Sequence, residues 1–112
     1  MQNERKYVLN NIVKFNKSIY DLEEEIKKFT WDWDDKELLL IKKKDILSVL
    51  KRFTKNELTS KDIENWANLI ECREDLAFDE DNIKEVIYIL ANPYLEGELT
   101  DEFCKKLINR IK

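Results

Sequence analysis

Residues 4–29, ERKYVLNNIVKFNKSIYDLEEEIKKF, carry the most regular hydrophobic pattern of the chain. Large apolar side chains recur there at alternating spacings of four and three positions, namely at Val8, Ile12, Phe15, Ile19, Leu22, Ile26 and Phe29. This stripe is typical of one face of an α-helix and predicts a long first helix over residues 4–29. The same seam would suit a homodimeric coiled coil. We expect a monomer, because further amphipathic segments follow and can cover the seam within one bundle.

The rest of the chain is also expected to be helical. With 112 residues it has the length of one domain, spanning 1–112, and one glycine and one proline are too few for the turns of a β-sandwich or barrel. Hydrophobic periodicity predicts further helices over about 36–54, 60–76, 80–92 and 100–111. The predicted fold is therefore an all-α, compact bundle of about five helices.

Two helix starts share the tripeptide Glu-Leu-Thr, at residues 57–59 and 98–100. In each case the threonine hydroxyl can accept a hydrogen bond from a free N–H of the first turn, so Thr59 and Thr100 are predicted N-caps. Asp79 is the predicted N-cap of the helix over 80–92. Pro93 is expected to end that helix, because a proline disfavours helical geometry at the preceding residue.

The usual components of a catalytic or metal site are missing from the sequence. The chain has no histidine, which excludes triads with an imidazole base, and its single glycine cannot build a phosphate-binding loop. We therefore expect no enzymatic activity, no metal and no cofactor. Cys72 and Cys104 are expected to be free thiols in a reducing cytoplasm. Neither a membrane span nor a signal peptide is predicted, so the expected location is cytoplasmic.

Charge is distributed unevenly along the chain. The stretch from residue 62 to 102 holds thirteen acidic and two basic residues, whereas the other 71 residues hold 11 acidic and 18 basic ones. The densest acidic cluster comprises Glu71, Glu74, Asp75, Asp79, Glu80 and Asp81. Exposed carboxylates can simply serve solubility. Ordinary surfaces intersperse lysine among them, however, so this cluster favours a docking surface for a cationic partner.

Three further residues allow two interpretations each. Trp31 and Trp33 alternate with aspartates in the first predicted connection, where they can anchor a basic partner or cover the end of the bundle. Arg73 falls on the apolar stripe that includes Trp66 and Ile70. It is expected to form a structural ion pair rather than to act in function.

The second predicted helix is basic. It contains or adjoins six cationic residues, Lys42, Lys43, Lys44, Lys51, Arg52 and Lys55. They could contact phosphates of a nucleic acid, or they could form the solvated face opposite the apolar residues of the same helix. The solvated face is the preferred interpretation, because the net charge of −4 opposes nucleic-acid binding.

A family resemblance lies between about residues 59 and 111. It rests on Trp66-Ala67, Glu71, Arg73 and Asp75, followed by Leu90-Ala91-Asn92-Pro93, Gly97 and Leu99-Thr100. These segments resemble small helical immunity proteins of bacterial contact-dependent inhibition and related polymorphic toxin systems. The resemblance implies a cytoplasmic protein that binds a cognate toxin and blocks its active site or the approach of its substrate. Nuclease toxins are usually basic, which suits an acidic inhibitor.

The sequence therefore favours a non-enzymatic, toxin-neutralising protein. Its expected partner-binding residues are the six acids of the cluster together with Trp31 and Trp33. The alternative is a helical adaptor or phage-derived regulatory module that binds another protein, or nucleic acid, through the basic second helix. Retention on DNA distinguishes the two.

Overall fold

The computed structural model describes residues 2–28, 39–71, 73, 76–93 and 97–112. Within these ranges the chain is mostly helical, as predicted. Six helices and a pair of three-residue strands follow one another: α1 (Gln2–Lys14), α2 (Ile19–Ile26), β1 (Leu39–Ile41), α3 (Lys43–Thr54), α4 (Ser60–Glu71), β2 (Leu76–Phe78), α5 (Asp81–Ala91) and α6 (Asp101–Ile111).

The prediction of one long first helix over 4–29 is wrong. α1 ends at Lys14, and Phe15 adopts a left-handed conformation with φ of 50°, which no α-helix can continue through. Ser18 then caps α2, because its hydroxyl accepts a hydrogen bond from the Asp21 N–H at 3.2 Å. Hydrophobic spacing alone cannot detect the break, since the apolar stripe continues through it.

The predicted stripe nevertheless faces the protein's own core. Val8, Ile12, Phe15, Leu22 and Ile26 are all buried, and Ile19 packs against them while partly exposed. Phe29 lies outside the described residues. The seam is thus covered within one chain, as the bundle interpretation expected.

A short parallel sheet replaces part of two predicted helices. β1 pairs with β2 in the register Leu39 with Leu76, Leu40 with Ala77 and Ile41 with Phe78. The second predicted helix therefore begins at Lys43 rather than near 36, and the third ends at Glu71 rather than near 76. A short apolar run does not by itself distinguish a buried strand from a helix, and the partner strand is distant in sequence. α3 and α4 form the crossover that a parallel pair requires.

The threonine caps are confirmed, and the Asp79 cap is wrong. Thr59 accepts from the Asp62 N–H, Asp62 accepts from the Thr59 N–H, and Thr100 accepts from the Phe103 N–H. At the start of α5 the N-cap is Glu80, without a side-chain hydrogen bond. The Asp79 N–H instead donates to the Ile41 carbonyl at 2.9 Å, so the backbone of Asp79 extends the pairing of the two strands.

The core is continuous across the helices. Trp66 at its centre is fully buried, stacks on Phe15 with ring centroids 6.1 Å apart, and donates its indole N–H to the Ile12 carbonyl at 2.7 Å. Cys104 is a free, buried thiol that donates to the Leu50 carbonyl. Cys72 lies outside the described residues. None of the described helices is both long and apolar enough to cross a membrane.

Candidate partner-binding surface

Four of the six predicted acidic site residues lie around the ends of α4 and β2. Glu71 is the last residue of α4, Asp79 and Glu80 connect β2 to α5, and Asp81 is the first residue of α5. All four side chains are exposed. The other predicted site residues, Glu74, Asp75, Trp31 and Trp33, lie outside the described residues.

Several acids of the acidic stretch have partners within the molecule. The carboxylate of Glu80 lies 3.7 Å from the Lys43 ammonium, Glu85 pairs with Arg110, and Glu64 pairs with Lys61. In addition, Asp62 belongs to the cap of α4, and Glu98 accepts from the Ser60 hydroxyl at 2.7 Å. These contacts give part of the acidic stretch an ordinary structural role.

Three acids of the predicted cluster have no such role among the described residues. The carboxylates of Glu71, Asp79 and Asp81 make no ion pair or side-chain hydrogen bond there. Asp81 is at least favourably placed at a helix N-terminus. Glu71 is not, because a negative charge at a helix C-terminus opposes the helix dipole. We therefore expect the charge of Glu71 to cost stability rather than add to it.

Glu71 and Asp81 line a common cleft of about 790 Å³ that was not predicted from the sequence. β1 and β2, the end of α4 and one face of α5 line it through Leu40, Ile70, Glu71, Arg73, Leu76, Ala77, Phe78, Asp81, Lys84, Glu85 and Tyr88. The lining is apolar along the sheet and charged along the rim. Asp79 and Glu80 are exposed beside it but do not line it.

One signal in the sequence does point to this cleft. Asp81, Lys84, Glu85 and Tyr88 recur at spacings of three and four positions, which places them on one face of α5. That face is charged except for Tyr88, so the ring lies outside the buried stripe of the helix. Leu40 could not have been found in this way, because only the pairing of β1 with β2 places it in the cleft.

Arg73 does not lie on a helix, contrary to the prediction. It follows the end of α4, where its N–H donates to the Ile70 carbonyl at 3.0 Å. The residue is half-buried and lines the cleft. The ion pair expected for it stays a prediction.

Two cationic residues of the basic second helix, α3, make contacts within the protein. Lys42, Lys43, Lys44, Lys51 and Lys55 are exposed, in agreement with a solvated face, and Lys43 pairs with Glu80. Arg52 turns toward the core side of the molecule. It donates to the Phe15 carbonyl at 2.6 Å, and its guanidinium lies 5.6 Å from the centre of the Phe15 ring. Arg52 is therefore committed to the junction between α1 and α2.

The cleft combines apolar and charged side chains. Its side chains offer apolar surface, carboxylates, an arginine, a lysine and a phenol. Across the part of the chain that the structure describes, no three His, Cys, Asp or Glu side chains cluster closely enough to hold a metal ion. Comparison with known protein families, with curated proteins and with solved structures gives no match.

Proposed function

We propose that this protein is a non-enzymatic immunity protein that neutralises a basic toxin domain in the cytoplasm. The observation that carries the proposal is the group of exposed carboxylates, Glu71, Asp79 and Asp81, that have no partner within the described structure and lie at or beside an open cleft. The resemblance to small helical immunity proteins names the class. The protein acts as a monomer and needs no cofactor.

Charge explains how such a protein would find its target. An acidic surface attracts a basic partner over distances of about 10 Å at moderate ionic strength and raises the rate of association. Toxins that cleave nucleic acid need a basic surface to hold the phosphate backbone. An acidic protein docked on that surface would exclude the substrate, so inhibition would require no contact with the catalytic residues themselves.

The proposal is tested with the product of the gene immediately upstream, which we expect to encode a basic toxin domain. Expression of that domain alone should arrest growth of a host cell, and co-expression of this protein should restore it. Purified toxin domain should bind with an association rate that falls steeply as salt is added. An upstream product that is not toxic, or that does not bind, would contradict the proposal.

Matched charge reversals localise the interaction. The double variant Glu71→Lys, Asp81→Lys should slow association with the toxin domain by about tenfold or more at low salt. The double variant Glu23→Lys, Glu24→Lys is the control, because both residues are exposed acids on α2, outside the acidic stretch. Equal effects of the two changes would show that net charge, and not this surface, governs binding.

The adaptor alternative predicts a different result. A protein that binds nucleic acid through α3 should be retained on DNA at low salt and released as the salt concentration rises. Substituting Lys44 and Lys51 with glutamine should then abolish retention. We expect no retention of the unmodified protein on DNA.

A further inference from the structure

The described residues include a few large hydrophobic side chains that remain exposed, and two of them line the cleft. Among the described residues they are Tyr7, Tyr20, Leu40 and Tyr88, with exposed fractions of 63%, 71%, 44% and 49%. Leu40 comes from β1 and Tyr88 from α5, yet both line the same cleft. β1 and α5, which are far apart in sequence, thus both contribute apolar surface to the cleft.

The paired strands bring further apolar surface to the same cleft. Leu40 and Ala77 are register partners, so they project from the same face of the sheet, whereas Ile41 and Leu76 are buried. Leu40 and Ala77, together with Tyr88, provide an apolar wall. The cleft volume of about 790 Å³ lies within the range of roughly 300–1,000 Å³ typical of ligand-binding clefts and cavities.

The charges at the rim differ in how well they are compensated. Glu85 is paired with Arg110, and Arg73 is half-buried. Glu71 and Asp81 are exposed and unpaired within the described structure. Lys84 is the exposed cation of the rim. With the Glu85–Arg110 and Glu80–Lys43 pairs set aside, the carboxylates of Glu71, Asp79 and Asp81 at and beside the cleft outnumber its two cations, Arg73 and Lys84. The remaining charge is therefore negative by one, and it lies beside apolar surface.

We propose that the cleft receives an apolar or aromatic side chain of the partner that is flanked by lysine or arginine. The apolar side chain would pack on Leu40 and Tyr88, while the flanking cations would pair with Glu71 and Asp81. Tyrosine at the centre of such a contact is typical of residues that dominate binding energy. This inference rests on the proposed function and specifies which segment of a basic partner the protein recognises.

A second copy of this chain is a poorer occupant. A two-fold interface places the same patch of both subunits against itself. Two copies of the cleft would therefore enclose the carboxylates of Glu71 and Asp81 twice in one interface. Like charges in a closed interface oppose association, whereas a basic segment removes the repulsion.

The test uses synthetic peptides of about ten residues and does not need the toxin. One peptide carries tryptophan and leucine between lysines, and its counterpart has glutamate in place of every lysine. Each is titrated into the isotopically labelled protein and followed by amide chemical shifts. We expect the basic peptide to bind at least about tenfold more tightly at low salt, with shifts concentrated at Leu40, Ala77, Lys84 and Tyr88.

Variants then separate the cleft from general charge attraction. Tyr88→Ala should weaken binding of the basic peptide about tenfold, whereas Tyr20→Ala, at a more exposed tyrosine on α2, should change it less than about twofold. Lys84→Glu should strengthen binding about threefold, because it removes the opposing charge of the rim. Lys84→Glu keeps the test decisive if Tyr88→Ala folds poorly.

The proposal fails if both peptides bind alike, if shifts cluster around Tyr7 and Tyr20, or if Tyr20→Ala weakens binding as much as Tyr88→Ala. It also fails if the protein self-associates and Tyr88→Ala abolishes that association, since the cleft would then be an interface between copies. A specific response to the basic peptide without binding of the upstream gene product would leave this inference standing and remove the proposed function. If that product binds and Tyr88→Ala has no effect on its binding, the proposed function would stand and this inference would fail.

Discussion

The junction between α1 and α2 and the cleft beside α5 each contain an aromatic side chain and an arginine. The aromatic side chain is buried at the junction and exposed in the cleft. At the junction Phe15 is 4% exposed, stacked on Trp66 and sealed by Arg52. In the cleft Tyr88 is 49% exposed, and two of the carboxylates that line the same cleft, Glu71 and Asp81, have no partner among the described residues. The junction uses its aromatic rings for folding, whereas the cleft leaves its ring open to a partner. The comparison predicts large stability effects at the junction and small ones at the cleft.

Trp66→Ala should give the largest loss of stability. It removes a fully buried indole, the stack on Phe15 and the hydrogen bond to the Ile12 carbonyl, so the free energy of unfolding should fall by about 3–5 kcal/mol. Urea denaturation measures the change. Trp66→Phe keeps an aromatic ring there and should cost less, about 1–3 kcal/mol for the lost hydrogen bond and volume. Equal losses would show that the indole N–H alone anchors the end of α1.

Alkaline pH should lower the free energy of unfolding through the buried thiol of Cys104. Burial, with a smaller contribution from the negative charge of Asp101, raises the pKa of the Cys104 thiol from 9.0 to about 11. The fold favours the neutral thiol, so its contribution is intact below pH 9 and is lost as the pH rises through 11.

The size of that loss is on the order of 2–3 kcal/mol. It is measured as the difference between the unmodified protein and Cys104→Ala, because lysines and tyrosines also titrate in this range. The variant should lose less stability between pH 8 and pH 11. Parallel pH profiles would contradict the assignment.

Arg52→Met should have an intermediate effect at the junction. The substitution retains an apolar stem but leaves the carbonyl of Phe15 without its charged donor, at a residue already held at φ of 50°. The expected loss is about 1–2 kcal/mol. Lys51→Met, at an exposed neighbour on α3, is the control and should stay within about 0.5 kcal/mol. If the two variants lose the same free energy of unfolding, Arg52 does not stabilise the break between α1 and α2.

Tyr88→Ala should have little effect on folding. The ring is half exposed and belongs to the outward face of α5, so the free energy of unfolding should change by no more than about 0.5 kcal/mol. Thermal unfolding followed by circular dichroism is sufficient. A loss that approaches that of Trp66→Ala would mean that the cleft is part of the core, and the contrast between the two regions would disappear.

Glu71→Gln should give a small change in the free energy of unfolding, with the opposite sign. Removing a negative charge from the C-terminus of α4 relieves its conflict with the helix dipole, which should stabilise the protein by about 0.3–1 kcal/mol. Asp81→Asn, at the N-terminus of α5, should instead destabilise it slightly. A stabilising Glu71→Gln that weakens partner binding would show that this carboxylate is kept for function. Destabilisation by Glu71→Gln would show a structural role.

The sequence by itself determined the features that depend on local chemistry. Periodic apolar residues predicted helical segments and the buried stripe from Val8 to Ile26. The stripe is buried as predicted even though the helix breaks at Phe15, because the apolar residues on both sides of the break face the core. Thr59 and Thr100 were predictable as caps, since a hydroxyl serves the nearest free N–H groups. The acidic cluster was also apparent, although not which of its members have partners.

Only the tertiary structure decided where these segments stop and what they expose. Phe15 leaves the helix in a conformation held by Arg52 and Trp66, two residues from other helices whose contributions no local pattern records. Leu39–Ile41 becomes a strand because Leu76–Phe78 is available to pair with it. The cleft exists for the same reason. Leu40 and Tyr88 line it together only after distant segments have packed, and contacts between distant residues are not encoded in the spacing of either segment.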